Sequence, residues 1–163
     1  MENTQVKSKS RVRTFAEVFT AEREVKAMCD LIPQEIWQNI ESTFLEPACG
    51  TGNFLAEILE RKLKLCKSVQ DGLKALGSLY GVDIQQDNVE QCRERLLNIF
   101  MERLSFVYIT DRVLLQAINI LDEHIICDDM LNPQTETVKS WGITPDKDYV
   151  KFLERRKLKR GNI

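Results

Sequence analysis

The run at residues 44–54, Phe-Leu-Glu-Pro-Ala-Cys-Gly-Thr-Gly-Asn-Phe, constrains this chain more than any other feature. A short apolar strand, "STFLE", breaks on Glu46-Pro47, turns through Gly50-Thr51-Gly52 and passes into a helix near Asn53. Strand, glycine turn and helix in that order open a parallel α/β sheet. Two more strands succeed it, "SLYGVDI" ending on Asp83 and "HIIC" ending at Asp128-Asp129. Helical patterns lie between and before them. "AEREVKAMCDLIPQEIW" carries Val25, Met28, Leu31 and Ile32 at helical spacing and should bend or end near Pro33. "DNVEQCRERLLNIFMERL" lines up Val89, Cys92, Leu96 and Ile99, and "DRVLLQAINILDE" leads into the third strand. The alternation predicts a doubly wound α/β sheet with helices on both faces. Beyond Leu131 only turns and one basic helix are expected, with Leu131-Asn132-Pro133-Gln134 read as a turn.

Ligands of such sheets bind beyond the carboxyl ends of the strands. Gly50 and Gly52 permit left-handed backbone and, on this reading, keep side chains out of a ligand's way. The helix from Asn53 points its free N–H groups at the same place. Asp83, 33 residues after Gly50, can accept from ribose hydroxyls, and Asp128-Asp129 from an exocyclic amine. A dinucleotide site would carry a third glycine where Leu55 stands, and Glu46 before the turn would repel a pyrophosphate. A carboxylate there suits a cationic ammonium group. An amino acid joined to an adenosine satisfies all three strand ends, which points to S-adenosylmethionine.

Glu46, Pro47, Ala48, Cys49, Gly50, Gly52, Asn53 and Phe54 together resemble the first motif of adenine-N6 DNA methyltransferases, including modification subunits of restriction systems. "YGVDIQQDNVEQCRERL" is similar to their second motif, in which Asp83 would bind the ribose and Ile84 would pack on the adenine. "HIICDDML" is similar to the third, with Asp129 facing the adenine amine and Asp128 as its competitor. Upstream, Phe19 and Thr20 match the family's cofactor-contacting segment, although Ala21 stands where proline is usual. The resemblance covers about residues 13–131 and implies a partial Rossmann-like class I methyltransferase fold with strand order 3-2-1.

Each of these residues also has a plainer reading. Glu46 could cap the turn after it, and Thr20 the helix that begins with "AEREV". Asp83 or Asp87 could cap the helix after the second strand, and Asp129 could merely end the third. Cys49 reads as a packing residue and His124 as a strand-edge residue.

The family's Asp/Asn-Pro-Pro-aromatic motif, which holds the amine and stacks the flipped base, does not occur among the 163 residues. The expectation is therefore the cofactor half of a split methyltransferase, inactive alone and completed by a partner chain or homodimer. A cofactor-sensing module and a truncated remnant are the competing readings. Strand order 3-2-1 leaves one edge of "STFLE" for such a partner.

Composition agrees with a soluble, cytoplasmic domain: 43% hydrophobic and 29% charged residues, with no apolar run of membrane length. Five scattered cysteines and one histidine predict neither a zinc site nor a disulfide framework. The net charge of −2 conceals a basic arm at residues 1–13 and a basic extension at 132–163. Residues 14–150 hold 13 basic and 23 acidic residues. Such arms could touch DNA phosphates, or simply be solvated.

Overall fold

A computed structural model describes residues 7–11, 20–104 and 109–140. Three parallel strands, β1 (Phe44–Glu46), β2 (Leu79–Asp83) and β3 (Ile125–Cys127), form one sheet in the order β1-β2-β3. Phe44 lies opposite Leu79, and Gly81 opposite Ile125. Strand order 3-2-1 and parallel pairing are therefore as expected. The helices are α1 (Glu22–Cys29), α2 (Gln34–Gln38), α3 (Asn53–Leu63), α4 (Val69–Gly77), α5 (Gln86–Arg103), α6 (Asp111–His124) and α7 (Glu136–Ser140).

Alternation along β2 and β3 divides the core in two. Leu79 and Ile125 join Leu55, Leu59, Leu76, Val89, Leu96, Phe100 and Leu121 of α3–α6 in the main cluster. Val82 and Ile126 pack with Met130, Val138 of α7 and Leu45 in a second cluster. The long helices thus build one layer, while the chain leaving β3 covers the other face.

Three local readings need correction. In α1 the core contacts are Val25 and Cys29, whereas Met28 is 54% and Leu31 82% exposed. The helix stops at Cys29, shortly before the break expected near Pro33, and Pro33 occupies the N-cap position of α2. Helix α4 is an unexpected element between α3 and β2, although Val69, Gly72, Ala75 and Leu76 are buried at helical spacing and its start carries a local signal. Ser68 Oγ accepts the Asp71 N–H at 3.1 Å while Asp71 accepts the Ser68 N–H at 3.0 Å, a reciprocal capping box. His124 closes α6 and does not open β3, its ring stacked 4.3 Å from Tyr80. The basic helix expected in the C-terminal extension lies outside the described residues.

Lys62 of α3 is fully buried behind β1. Its ammonium donates to the carbonyls of Ile40 (3.0 Å) and Ser42 and to Ser78 Oγ. One side chain therefore ties the segment leading into β1 to the residue before β2.

Candidate functional site

The turn after β1 is held to the end of β2 by backbone and side-chain bonds. The Cys49 N–H donates to Val82 O at 2.8 Å and the Gly50 N–H to Asp83 Oδ2 at 2.9 Å. Gly50 (φ 54°) and Gly52 (φ 82°) both adopt left-handed backbone, which only glycine takes up without strain. The Asp128 N–H donates to Asp83 O at 3.0 Å, bringing the end of β3 against the end of β2. The three strand ends singled out in the sequence thus meet in one place.

Glu46 closes β1 half-buried, and burial pushes its carboxyl above the ordinary carboxylate value against one Ala48 N–H. Among the described residues no cation pairs with it. It is a desolvated anion facing the glycine turn, and a positive ligand group would stabilise it. The plainer reading of Glu46 as a cap of the turn also holds in part, since its carboxylate accepts the Ala48 N–H, while Gly52 stands at the N-cap of α3.

Asp83 is partly occupied by its own fold. Oδ2 takes the Gly50 N–H, and Oδ1 takes the Gln85 N–H at 2.8 Å and Asn88 Nδ2 at 3.1 Å. A carboxylate offers about four lone-pair positions, so roughly one remains for a ligand hydroxyl, not the two expected. Neither Asp83 nor Asp87 is the N-cap of α5: Gln85 holds that position without a side-chain cap, Asp87 lies in the first turn, and Asp83 only accepts the Gln85 N–H.

Other residues of the turn serve it structurally. Pro47 is half-buried and Ala48 exposed. Cys49 is buried, and its thiol, raised by a hydrogen bond with Cys92 and by burial, is a packing group. Gly52 faces inward, because a Cβ there would lie 2.5 Å from Cys92 Sγ; its small size serves the α3–α5 contact. Asn53 Nδ2 donates to Thr20 O at 2.9 Å and its Oδ1 accepts from Arg95 at 2.5 Å. Asn53 therefore brings Thr20 to the turn. Thr20 does not cap α1, where the Ala21 N–H bonds Glu24 instead. Phe54 packs against the core, and Phe19 lies outside the described residues.

The aspartates after β3 divide their roles. Asp128 is buried and accepts from the N–H groups of Asp129, Gln134 and Thr135 and from the Thr135 hydroxyl. Burial raises its carboxyl, but these donors prevail and hold it below its ordinary value. It anchors the chain running to α7 and leaves no obvious acceptor for a ligand amine. Asp129 is half-buried, with Oδ1 bonded to the Leu131 N–H at 2.9 Å. Ile84 is 52% exposed beside the end of β2, an apolar surface a ring could cover.

Asn88 and the N-terminal arm belong to this site although no motif marks them. Asn88, 1% exposed, lies between the Asp83 carboxylate and two arm cations, Lys7 and Arg11. The only local sign is an amide five residues past the strand-ending acid.

The chain is 36% identical over 80 residues to the type II methyltransferase M.VspI of Vibrio sp. (strain 343), a stretch covering 48% of this chain. The chain spans only 16% of the length of that curated relative. No protein-family model matches, and no solved structure does. With the three-stranded parallel sheet, this likeness is consistent with a partial Rossmann-like methyltransferase fold. No described helix is long and apolar enough to cross a membrane.

Proposed function

We propose that the three strand ends bind S-adenosylmethionine, and that the chain is the cofactor-binding part of an adenine-N6 DNA methyltransferase. Glu46 carries this reading: it is a half-buried carboxylate without a cation among the described residues, beside a turn whose two glycines adopt left-handed backbone. A pyrophosphate is repelled there, while the ammonium of an amino-acid cofactor supplies the missing charge. In this assignment Asp83 accepts one ribose hydroxyl, Ile84 covers the adenine face and Asp129 receives its amine. The groups that hold a target adenine come from a partner chain or further polypeptide, for which the edge of β1 that pairs with no other strand among the described residues is a docking point. The basic arms then contribute to contact with DNA.

Titration calorimetry with S-adenosylmethionine tests the reading. A cation favours the ionised carboxylate, so binding releases a proton wherever Glu46 is partly protonated. Affinity should weaken as pH falls from neutrality through the raised Glu46 pKa toward 4.5, the ordinary value. Glu46→Gln should bind about tenfold or more weakly at pH 7.5 and lose that pH slope. No heat and no thermal shift at millimolar cofactor would remove the proposal.

The chain alone should transfer no methyl group to DNA, because nothing in it replaces the Asp/Asn-Pro-Pro-aromatic acceptors. Incorporation of tritium from labelled cofactor by the purified single chain would contradict this. It would also turn attention to Asn132-Pro133.

A further inference from the structure

The N-terminal arm reaches the acid that ends β2 through a single buried amide. Asn88 Nδ2 donates to Asp83 Oδ1 at 3.1 Å. Its Oδ1 accepts from Lys7 Nζ at 2.7 Å and from Arg11 at 3.3 Å. The same two cations seat on Asp87, Lys7 at 2.9 Å and Arg11 through both terminal nitrogens at 2.7 and 3.1 Å. Arg11, and then Lys7, hold the Asp87 carboxyl well below the usual range. A side-chain amide can point either end toward Asp83. Two ammonium and guanidinium donors at one end leave only the oxygen there, and the NH₂ group must then face the carboxylate. Asp83 is in turn locked from the other side by Gly50 and Gln85.

We propose that Asn88 is the positioning residue for the Asp83 carboxylate and that Lys7 and Arg11, by orienting its amide, make the N-terminal arm a latch of the cofactor site. The proposal rests on the reading of Asp83 as the ribose acceptor. An acid whose last open lone pair has a set direction discriminates a ribose hydroxyl better than a freely turning one. Docking of the arm and binding of the cofactor must then favour each other by the same factor. An arm held in this way also has part of its charge committed to Asp87, so fewer of its cations remain for a polyanion.

The test compares S-adenosylmethionine with an analogue lacking the 2′- and 3′-hydroxyls, by calorimetry on the full chain. The double variant Lys7→Ala/Arg11→Ala and the single variant Asn88→Ala should each bind S-adenosylmethionine about tenfold more weakly than wild type. The triple variant should be no worse than either, and the analogue should bind all of them alike. Asn88→Asp keeps a seat for the arm but turns a repulsive oxygen on Asp83. It should therefore lose the preference for the ribose while tryptic cleavage after Arg11 stays slow. In wild type, the cofactor should slow that cleavage further. Wild-type affinity within twofold in the arm and Asn88→Ala variants would overturn the proposal, as would an equal loss for both ligands, the mark of a general structural role. Wild type that takes up neither ligand would instead remove the cofactor reading itself, and the latch with it.

Discussion

Gly52→Val should cost about 3–5 kcal/mol of folding stability, a large part of what a domain of this size possesses. Gly52 sits at φ 82°, ψ 30° as the N-cap of α3, where a β-branched residue is strained by roughly 1–3 kcal/mol. The first added carbon would lie 2.5 Å from Cys92 Sγ and 3.5 Å from the Cys92 backbone. Overpacking of this kind typically costs another ~1–3 kcal/mol, and Cys92, fully buried on α5, has nowhere to move. Urea unfolding should show a lower midpoint with the slope unchanged. Adding Cys92→Ala should recover part of the loss, because it vacates the sulfur position while leaving the backbone strain. A midpoint equal to wild type would mean that Gly52 faces open space. Gly52→Val is accordingly a poor binding-deficient control, since lost affinity would follow from lost structure.

That inward-facing glycine illustrates which features are legible in a sequence and which are not. The three strands and their useful carboxyl ends are legible because each signal is local: an apolar run, a breaker and a helix period; their order is not local and rests on the family resemblance. Which way a turn residue points depends on the element packed across it, and nothing in Gly-Thr-Gly states that Cys92 will lie behind its last member. The same gap explains the aspartates. Asp128 and Asp129 look alike in sequence, yet Gln134 and Thr135 fold back to occupy the first. Asp83 carries three internal bonds because Gly50, Gln85 and Asn88 converge on it from two other elements. For α1 the error is of a different kind. Counting Met28 and Leu31 as core overlooks Cys29, which is nearly fully buried, while the apolar pattern runs past the end of the helix. Helix α4 is readable both from Ser68 and Asp71 and from the helical spacing of Val69, Gly72, Ala75 and Leu76, but its 9 residues are easily passed over as part of the link between α3 and β2.

Lys62→Ala should be comparably costly, about 3–5 kcal/mol near neutral pH, with a dependence on pH that identifies the cause. The side chain is fully buried and its three protons serve Ile40 O, Ser42 O and Ser78 Oγ. Removing it orphans three acceptors at about 1–2 kcal/mol each and deletes three methylenes at ~0.8 kcal/mol each. Against this stands the relief of no longer burying a charge. Burial pulls the ammonium from its ordinary 10.5 down to about 8, which corresponds to about 3 kcal/mol. Between those two pH values the unfolded chain keeps a proton that the folded chain has released. The unfolded state therefore binds more protons there, and stability from this group rises with pH across that window. Below pH 8 the cost of the buried charge is fully present, and above 10.5 it is gone. The stability difference between wild type and Lys62→Ala should thus widen by about 3 kcal/mol from pH 7.5 toward 10.5, a comparison in which the titration of the five cysteines largely cancels. A difference that stays flat with pH would mean that the ammonium is solvated in the folded protein. The consequence reaches the ligand site, because Lys62 ties the approach to β1 to Ser78 at the start of β2, and the glycine turn and Asp83 are the far ends of those two strands. Loss of this tie should loosen their register and weaken the proposed S-adenosylmethionine binding without touching any residue assigned to it.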